Sequence, residues 1–508
     1  MPARRIACEE LLPGLWRLAD TCNVYVLQEG DRAMAVDFGS GRWLECLPKL
    51  GIRHLDSVWL THSHEDQCGG LAQRAPEGVT IHAPLGDETY LDPAAPRPYP
   101  QPPWLRAGCV VNYLPPRTRR AGLTYDLAGN VHLYWGARRV RVVSTPGHTP
   151  TACSLVINHG GRQLVFCGDA CHAGGTIWQP FHLEWDHWTG EGALAAWQGV
   201  ERLAGMGLDL LCPAHGPVLS DRPRRTLQQL SRRLLAFYRA KGQISPGEPD
   251  RFVEAPETLP GVRPLLPHLY MFGGNGYLLV SESGEGLVVD PFTPDLPALE
   301  ALLAELGVRP TAQVVSHYHY DHCDAIPVLR ERYGARAWLH PEIARLWRDP
   351  AHTCAPWLLP DPITADHLWP RQGEWTWNEY PFKLAHWPGQ TWGHCAFQTT
   401  VDGQRVLFGG DSFVPSSRWN GTGGFCAYNG SRFAEGFIPS ARLALEWRPE
   451  IVANGHTNCY YYAATKFRKI IRWAEQAQVA TTGLCPDGDL EGHYYSAAKI
   501  ISRHAAGR

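Results

Sequence analysis

No stretch of this chain is apolar for long enough to span a bilayer, so a transmembrane helix is not expected. Positive charge is not in surplus either. Lys and Arg number 47 against 50 Asp and Glu, a formal net charge of −3, so the polyanion-binding excess that suggests nucleic acid is missing. The 15 cysteines include no CxxC pair and follow no regular spacing. In a chain of 508 residues that scatter favours reduced thiols over a disulfide scaffold. The opening stretch, Met1-Pro2-Ala3-Arg4-Arg5-Ile6-Ala7-Cys8-Glu9-Glu10, holds no apolar signal core. The expectation is a soluble cytoplasmic protein with neither a membrane nor a nucleic acid as its partner.

What the chain does hold is the composition of a folded protein, 44% apolar and 19% charged, at a length that exceeds one hydrophobic core. It also holds two clusters of metal-ligating side chains, Thr61-His62-Ser63-His64-Glu65-Asp66-Gln67 and Ser316-His317-Tyr318-His319-Tyr320-Asp321-His322. Each follows a short apolar run, Ser57 to Leu60 or Ala312 to Val315, and so sits where a buried strand ends and a loop begins. Imidazoles two residues apart on an irregular loop can converge on one cation, and a carboxylate with one further ligand can reach a second. Such donors suit a divalent transition metal.

The clusters belong to a longer internal repeat. Leu12-Pro13-Gly14-Leu15-Trp16 answers Leu266-Pro267-His268-Leu269-Tyr270, and Val36-Asp37 answers Val289-Asp290. Past the clusters, Pro146-Gly147-His148-Thr149 matches Pro388-Gly389-Gln390-Thr391, and Gly168-Asp169 matches Gly410-Asp411. Cys212-Pro213-Ala214-His215-Gly216 then matches Val452-Ala453-Asn454-Gly455-His456. The order never changes, which predicts two copies of one domain in tandem. Helical apolar spacing covers Trp43 to Leu50, Leu296 to Leu306 and Leu227 to Lys241. Hairpins are expected around Asn158-His159-Gly160-Gly161 and Asp402-Gly403. Residues 242–263, with four prolines and no periodicity, read as a linker between domains 1–241 and 264–508.

These motifs resemble the metallo-β-lactamase superfamily, and the resemblance covers nearly the whole chain, twice. The family pattern is HxHxDH, a later Gly-His, a Gly-Asp after a strand and a final His. His62, His64, Asp66, His148, Asp169 and His215 match it in the first half. His317, His319, Asp321, His322, Asp411 and His456 match it in the second. The resemblance implies an α+β fold of two tandem αββα sandwiches, with metal at one edge of each. It also implies that the first three histidines hold one zinc. The cluster Asp, its terminal His and the last His would hold another, bridged by the Gly-Asp carboxylate. Zinc is therefore the expected cofactor, one or two ions per domain, with iron or manganese also compatible.

Both halves depart from the pattern, at different places. Gln67 stands where the first cluster should end in His, which touches only the second metal position and leaves His62, His64 and His148 as a three-imidazole set. Such a set with an open fourth position is the catalytic form of a zinc site. Gln390 replaces the third His of the second half, where Asp321, His322, Asp411 and His456 keep the other position whole. His394 is a possible substitute, although hydrogen bonding to its own loop is the plainer reading. His82 and His340 read as structural, Asp37 and Asp290 as groups that orient a histidine ligand or cap a loop rather than bind metal, and Cys68, Cys171 and Cys323 as buried thiols rather than ligands.

The expected chemistry is hydrolysis of a small ester, thioester, lactone or amide by a metal-bound hydroxide, with Asp66 and Asp321 as the carboxylates that bind metal or accept the water's proton. The first domain, with its complete histidine set, is the expected catalyst. Substrate contacts are expected in the aromatic-rich insertions, Leu85 to Gly129, Glu342 to Glu379, Trp178 to Trp188 and Trp419 to Tyr428. Three other functions compete. One is a non-haem iron oxygenase of a thiol or persulfide using His62, His148 and Asp169. The others are a nuclease, which the balanced charge disfavours, and a binding scaffold without turnover.

Overall fold

Alternation of apolar residues builds the sheets. In Cys153–His159, Leu155 and Ile157 face one side while Val156 faces the other; in Arg162–Gly168, Leu164 and Phe166 oppose Val165 and Cys167. Both faces are buried, so each strand joins two cores. The computed structural model describes residues 6–94, 122–185, 189–242, 250–348, 363–415, 423–425, 432–456 and 459–489.

The first half contains two sheets. One has seven strands in chain order, from Ala7–Leu12 to Leu123–Leu127; the other runs Leu210–Pro213, Arg162–Gly168, Cys153–His159, Arg138–Ser144, His132–Trp135. Tyr25, Leu27, Met34, Val36 and Trp59 of the first sheet pack against Val140, Val142, Leu155, Leu164 and Phe166 of the second. The outer face of the first sheet is covered by Trp43, Leu47 and Leu71, that of the second by the helices Glu191–Ala204 and Pro223–Gly242. The second half repeats the plan with a seven-stranded and a six-stranded sheet, Tyr277, Leu279 and Val289 packing on Phe382, Phe397 and Phe408. Each half is thus an αββα sandwich.

Local chemistry explains the turns. The first hairpin closes through Gly160 (φ 58°) and Gly161 (φ 77°) alone, a tighter turn than the four residues expected from sequence. Asp402 (φ 49°) and Gly403 (φ 81°) close the second, so both take the left-handed pair that suits the twist of a two-residue hairpin. The helix Leu296–Leu306 matches its predicted bounds, whereas Arg42–Leu50 is a 3-10 helix with Pro48 inside it. Proline lacks the N–H that an α-helix would use there.

The two halves share one core. Helix Pro223–Gly242 of the first packs on helix Ala464–Leu484 of the second, and Leu230, Leu234 and Phe237 join a single buried cluster with Phe433, Phe437, Ile470 and Trp473. The Trp473 indole donates to the Ala240 carbonyl at 2.6 Å. Residues 250–261 lie on the second half, Val253 N donating to Cys459 O at 2.9 Å. No helix among the described residues is long and apolar enough to cross a membrane.

Candidate metal centres

In each half the parallel strands of both sheets end at the same edge. Arg32–Val36 and His54–Trp59 deliver Asp37 and the His62 loop there; Arg162–Gly168 and Leu210–Pro213 deliver Asp169 and His215 from the opposite sheet. Gly168 turns with φ 52° so that its neighbour faces inward, and a Cβ on it would stand 2.6 Å from Thr61 Oγ1. Gly410 does the same in the second half (φ 49°), its Cβ position lying 2.2 Å from Ser316 Oγ. Glycine is required at both because close approach and a positive φ coincide.

In the first centre, His62, His64 and His148 are buried, and each offers a ligand atom within 4.8 Å of the others. Their rings meet edge to face, with centroids 4.7 to 5.1 Å apart. Asp169 Oδ2 stands 3.6 Å from His62 Nε2 and 3.4 Å from His148 Nε2. His62 is oriented from behind: its Nδ1 lies 3.1 Å from Thr61 Oγ1, and Thr61 in turn donates to Asp37 from its backbone N (2.8 Å) and its hydroxyl (3.0 Å). Burial holds all three imidazoles neutral, His64 down at about 4. His62 Nε2 and His148 Nδ1 have no hydrogen-bond partner among the described residues. Three buried neutral imidazoles gathered beside a carboxylate, with His62 Nε2 facing it and unpartnered, are donors that fit a divalent cation.

The second position differs between halves. In the second half a single nitrogen, His456 Nε2, faces both carboxylates, Asp411 Oδ2 at 3.0 Å and Asp321 Oδ2 at 3.6 Å, and Asp321, His322 and His456 gather as a three-atom group. In the first half the His215 ring is turned so that each nitrogen takes its own carboxylate, Nδ1 to Asp169 Oδ1 at 2.8 Å and Nε2 to Asp66 Oδ2 at 3.1 Å. Burial alone disfavours charge on His215, but the Asp169 and Asp66 carboxylates outweigh it and hold the imidazolium up to about 10. His215 thus lies between two carboxylates at the position where the second half gathers Asp321, His322 and His456. Gln67 is fully buried, its amide nitrogen 3.5 Å from Asp169 Oδ2.

In the second half, His317, His322 and Asp411 form another three-atom group, with His319 against His317 at a ring separation of 4.4 Å. Asp290 accepts from Ser316 N and Oγ at 2.6 Å and lies 3.2 Å from His322 Nδ1, so it orients a cluster histidine directly. Gln390 donates its amide to Asp411 Oδ2 at 2.9 Å. His394 stacks on His317 at 4.7 Å and 10°. His82 pairs with Asp126 at 2.9 Å and His340 with the Arg371 carbonyl, while Cys68 and Cys323 hydrogen-bond backbone carbonyls.

Three residues near the first centre escaped the sequence reading of ligands. His182 packs its ring on His64 (4.3 Å) and His148 (4.7 Å), and Trp178 stacks on His215 at 4.7 Å. Both lay inside an aromatic run whose spacing carries no periodic signal. Asp87, fully buried, accepts from Thr151 and ties the start of the first insertion to the loop of His148. Parts of the expected substrate loops lie outside the described residues: 95–121 with Tyr99, Trp104, Tyr113 and their arginines, 349–362 with Trp357, 186–188, and 419–422 with 426–428.

The family model of the metallo-beta-lactamase superfamily matches residues 17–236 and 269–456. An atrochrysone carboxyl ACP thioesterase of Aspergillus fumigatus is 26% identical over 228 residues, 44% of this chain and 58% of its own length. A hydroxyacylglutathione hydrolase of Gloeobacter violaceus is 28% identical over 157 residues, 30% of this chain and 50% of its own length. This chain therefore spans only about half the length of these curated relatives. A solved subclass B3 metallo-beta-lactamase of Bradyrhizobium japonicum is 16% identical, with a TM-score of 0.33 over 44% of this chain and 90% of its own.

Proposed function

Because the chain belongs to the metallo-beta-lactamase superfamily and matches it in both halves, we propose that it is a metal-dependent hydrolase of a small thioester whose turnover is carried by the first half. The observation that carries this reading is the convergence of buried, neutral His62, His64 and His148 on one point beside Asp169. Those three histidines would hold one cation, zinc by the chemistry of the donors. In the second half Asp321, His322, Asp411 and His456 would hold another, with His317 and His319 beside them. A divalent ion at the first centre supplies Lewis acidity and a water acidified to near-neutral pH.

The chain's own residues do the rest. Thr61 and Asp37 fix the tautomer and tilt of His62. Asp66 Oδ1 has no hydrogen-bond partner among the described residues, which leaves it open to accept the proton of the attacking water. A thioester is favoured over a lactone or amide because one relative is named a thioesterase and another a hydrolase of an acyl-glutathione, an acyl group carried on a thiol. A cytoplasmic location is part of the proposal, since the 12 described cysteines are all free thiols.

The test is a panel of acyl thioesters, esters and lactones assayed with the full chain, alongside metal analysis of protein purified without added metal. His62→Ala should lower kcat/KM on the best thioester by at least about a hundredfold. Unchanged turnover in that variant would overturn the assignment. Iron content with substrate-dependent oxygen uptake would replace hydrolysis by oxidation.

A further inference from the structure

Residues 177–185 form a cover over the first centre. Trp178 stacks on His215 at 14°, His182 lies against both His64 and His148, and the Trp185 indole donates to the Gly147 carbonyl at 2.9 Å, next to His148. The cover has little regular structure of its own beyond the one-turn Pro180–Leu183, so something else must fix it. Both ends are tied to the second half of the chain. Ile177 N donates to the carbonyl of Leu484, the last residue of helix Ala464–Leu484, at 2.9 Å.

At the other end, Glu184 pairs with Lys241 at 3.4 Å, the two side chains being 0% and 1% exposed. Lys241 Nζ also donates to the Phe425 carbonyl and lies 5.5 Å above the Phe425 ring. Phe425 is anchored in turn against Phe433 at 4.4 Å, inside the core shared by the halves. An ion pair buried this deeply is a poor source of stability, because desolvation offsets most of its attraction; fixing one geometry is its best-attested use.

We propose that Lys241 is a positioning residue for the first centre: with Glu184 and the Phe425 carbonyl it pins the cover, so that the second half of the chain sets how His182 and Trp178 hold the histidines. The inference rests on the metal assignment proposed above. It gives the second half a role that does not require turnover there. Restricting a ligand from outside the coordination sphere changes metal affinity by about 10- to 100-fold in comparable sites.

The experiment is a Co²⁺ titration of the metal-free full chain, followed by visible absorption, in which the component absent from His62→Ala reports the first centre. Lys241→Met, of similar volume and uncharged, should weaken that component about tenfold and shift its band envelope. His182→Ala should do the same, and the double variant should be no worse than the stronger single, because both act through one segment. An unchanged component in Lys241→Met, or additive losses, overturns the inference. Should Lys241→Met fail to fold, Glu184→Gln, which keeps the shape and removes the charge, carries the same expectation and the same refutation. If His62→Ala instead binds Co²⁺ with every component of the unaltered chain, the metal assignment is overturned, and the inference with it.

Discussion

Replacing Gln67 with histidine tests why the two halves differ at the second position. In the second half, His322 reaches Asp411 at 3.3 Å while its other nitrogen rests on Asp290 at 3.2 Å. Gln67 already places its amide nitrogen 3.5 Å from Asp169, and its carbonyl accepts from Phe38 N, next to Asp37, at 2.9 Å, so an imidazole at 67 starts from the same strand end as His322. Two terms decide the result. Adding a direct ligand should strengthen the position by at least roughly a hundredfold. Against it stands the proton on His215, held to about 10 by Asp169 and Asp66. At pH 7 its displacement costs on the order of 4 kcal/mol, about a thousandfold in affinity, and each unit of pH up to about 10 returns about tenfold. The first half of the wild-type chain should therefore hold one tight ion at pH 7. Gln67→His should hold a second, weaker ion whose affinity climbs with pH. Co²⁺ stoichiometry at pH 7 and pH 9, with anomalous diffraction to locate each ion, measures this. A second wild-type ion bound as tightly as the first at pH 7, or no second ion in Gln67→His at pH 9, would refute the reasoning.

Three further outcomes are expected. Asp87 is pushed up to about 7, first by burial, so the folded state keeps its proton where the unfolded chain, near 3.8, has lost it. Its stabilising protonation is fully present below pH 3.8 and is lost as pH rises through 7, so Asp87→Asn in the metal-free chain should remove about 3 kcal/mol of the stability lost between pH 5 and 8. Urea unfolding at both pH values checks it, and parallel pH dependences would count against it. Gly168→Ala must accommodate a Cβ 2.6 Å from Thr61 Oγ1 at φ 52°, costing roughly 1–2 kcal/mol in backbone alone; it should weaken metal binding at the first centre more than it lowers Tm. Lys466, buried beside Asp250 at 3.2 Å, is lowered to about 8 by burial, so between pH 8 and 10.5 the unfolded chain binds the extra proton and stability should rise with pH, a rise absent from Lys466→Met.

Much of this architecture is legible in order and chemistry. The tandem repeat, the strand ends that carry both His clusters and the Gly-Asp turns can all be read from residues, because a ligand loop needs a buried strand before it and a glycine where backbones meet. Asp37 and Asp290 were legible as orienting groups for the same reason: they end the neighbouring strand and sit opposite the first residue of each cluster. Trp178 and His182 were legible as part of a substrate loop, but their packing on the histidines, and the part of Lys241, were not. Their contacts join segments distant in sequence, and nothing periodic marks a residue whose partner is elsewhere in the chain.

By itself, the sequence determined two copies of one fold, the residues able to ligate metal, and the fact that each copy lacks a different imidazole. Only the tertiary structure decided how the remaining groups face one another. The order of residues names His215 and His456 as equals, yet one lies with each nitrogen on its own carboxylate and the other turns a single nitrogen to both. That difference is a rotation of a ring within packed surroundings, set by neighbours from both sheets, and it decides which carboxylate each nitrogen meets.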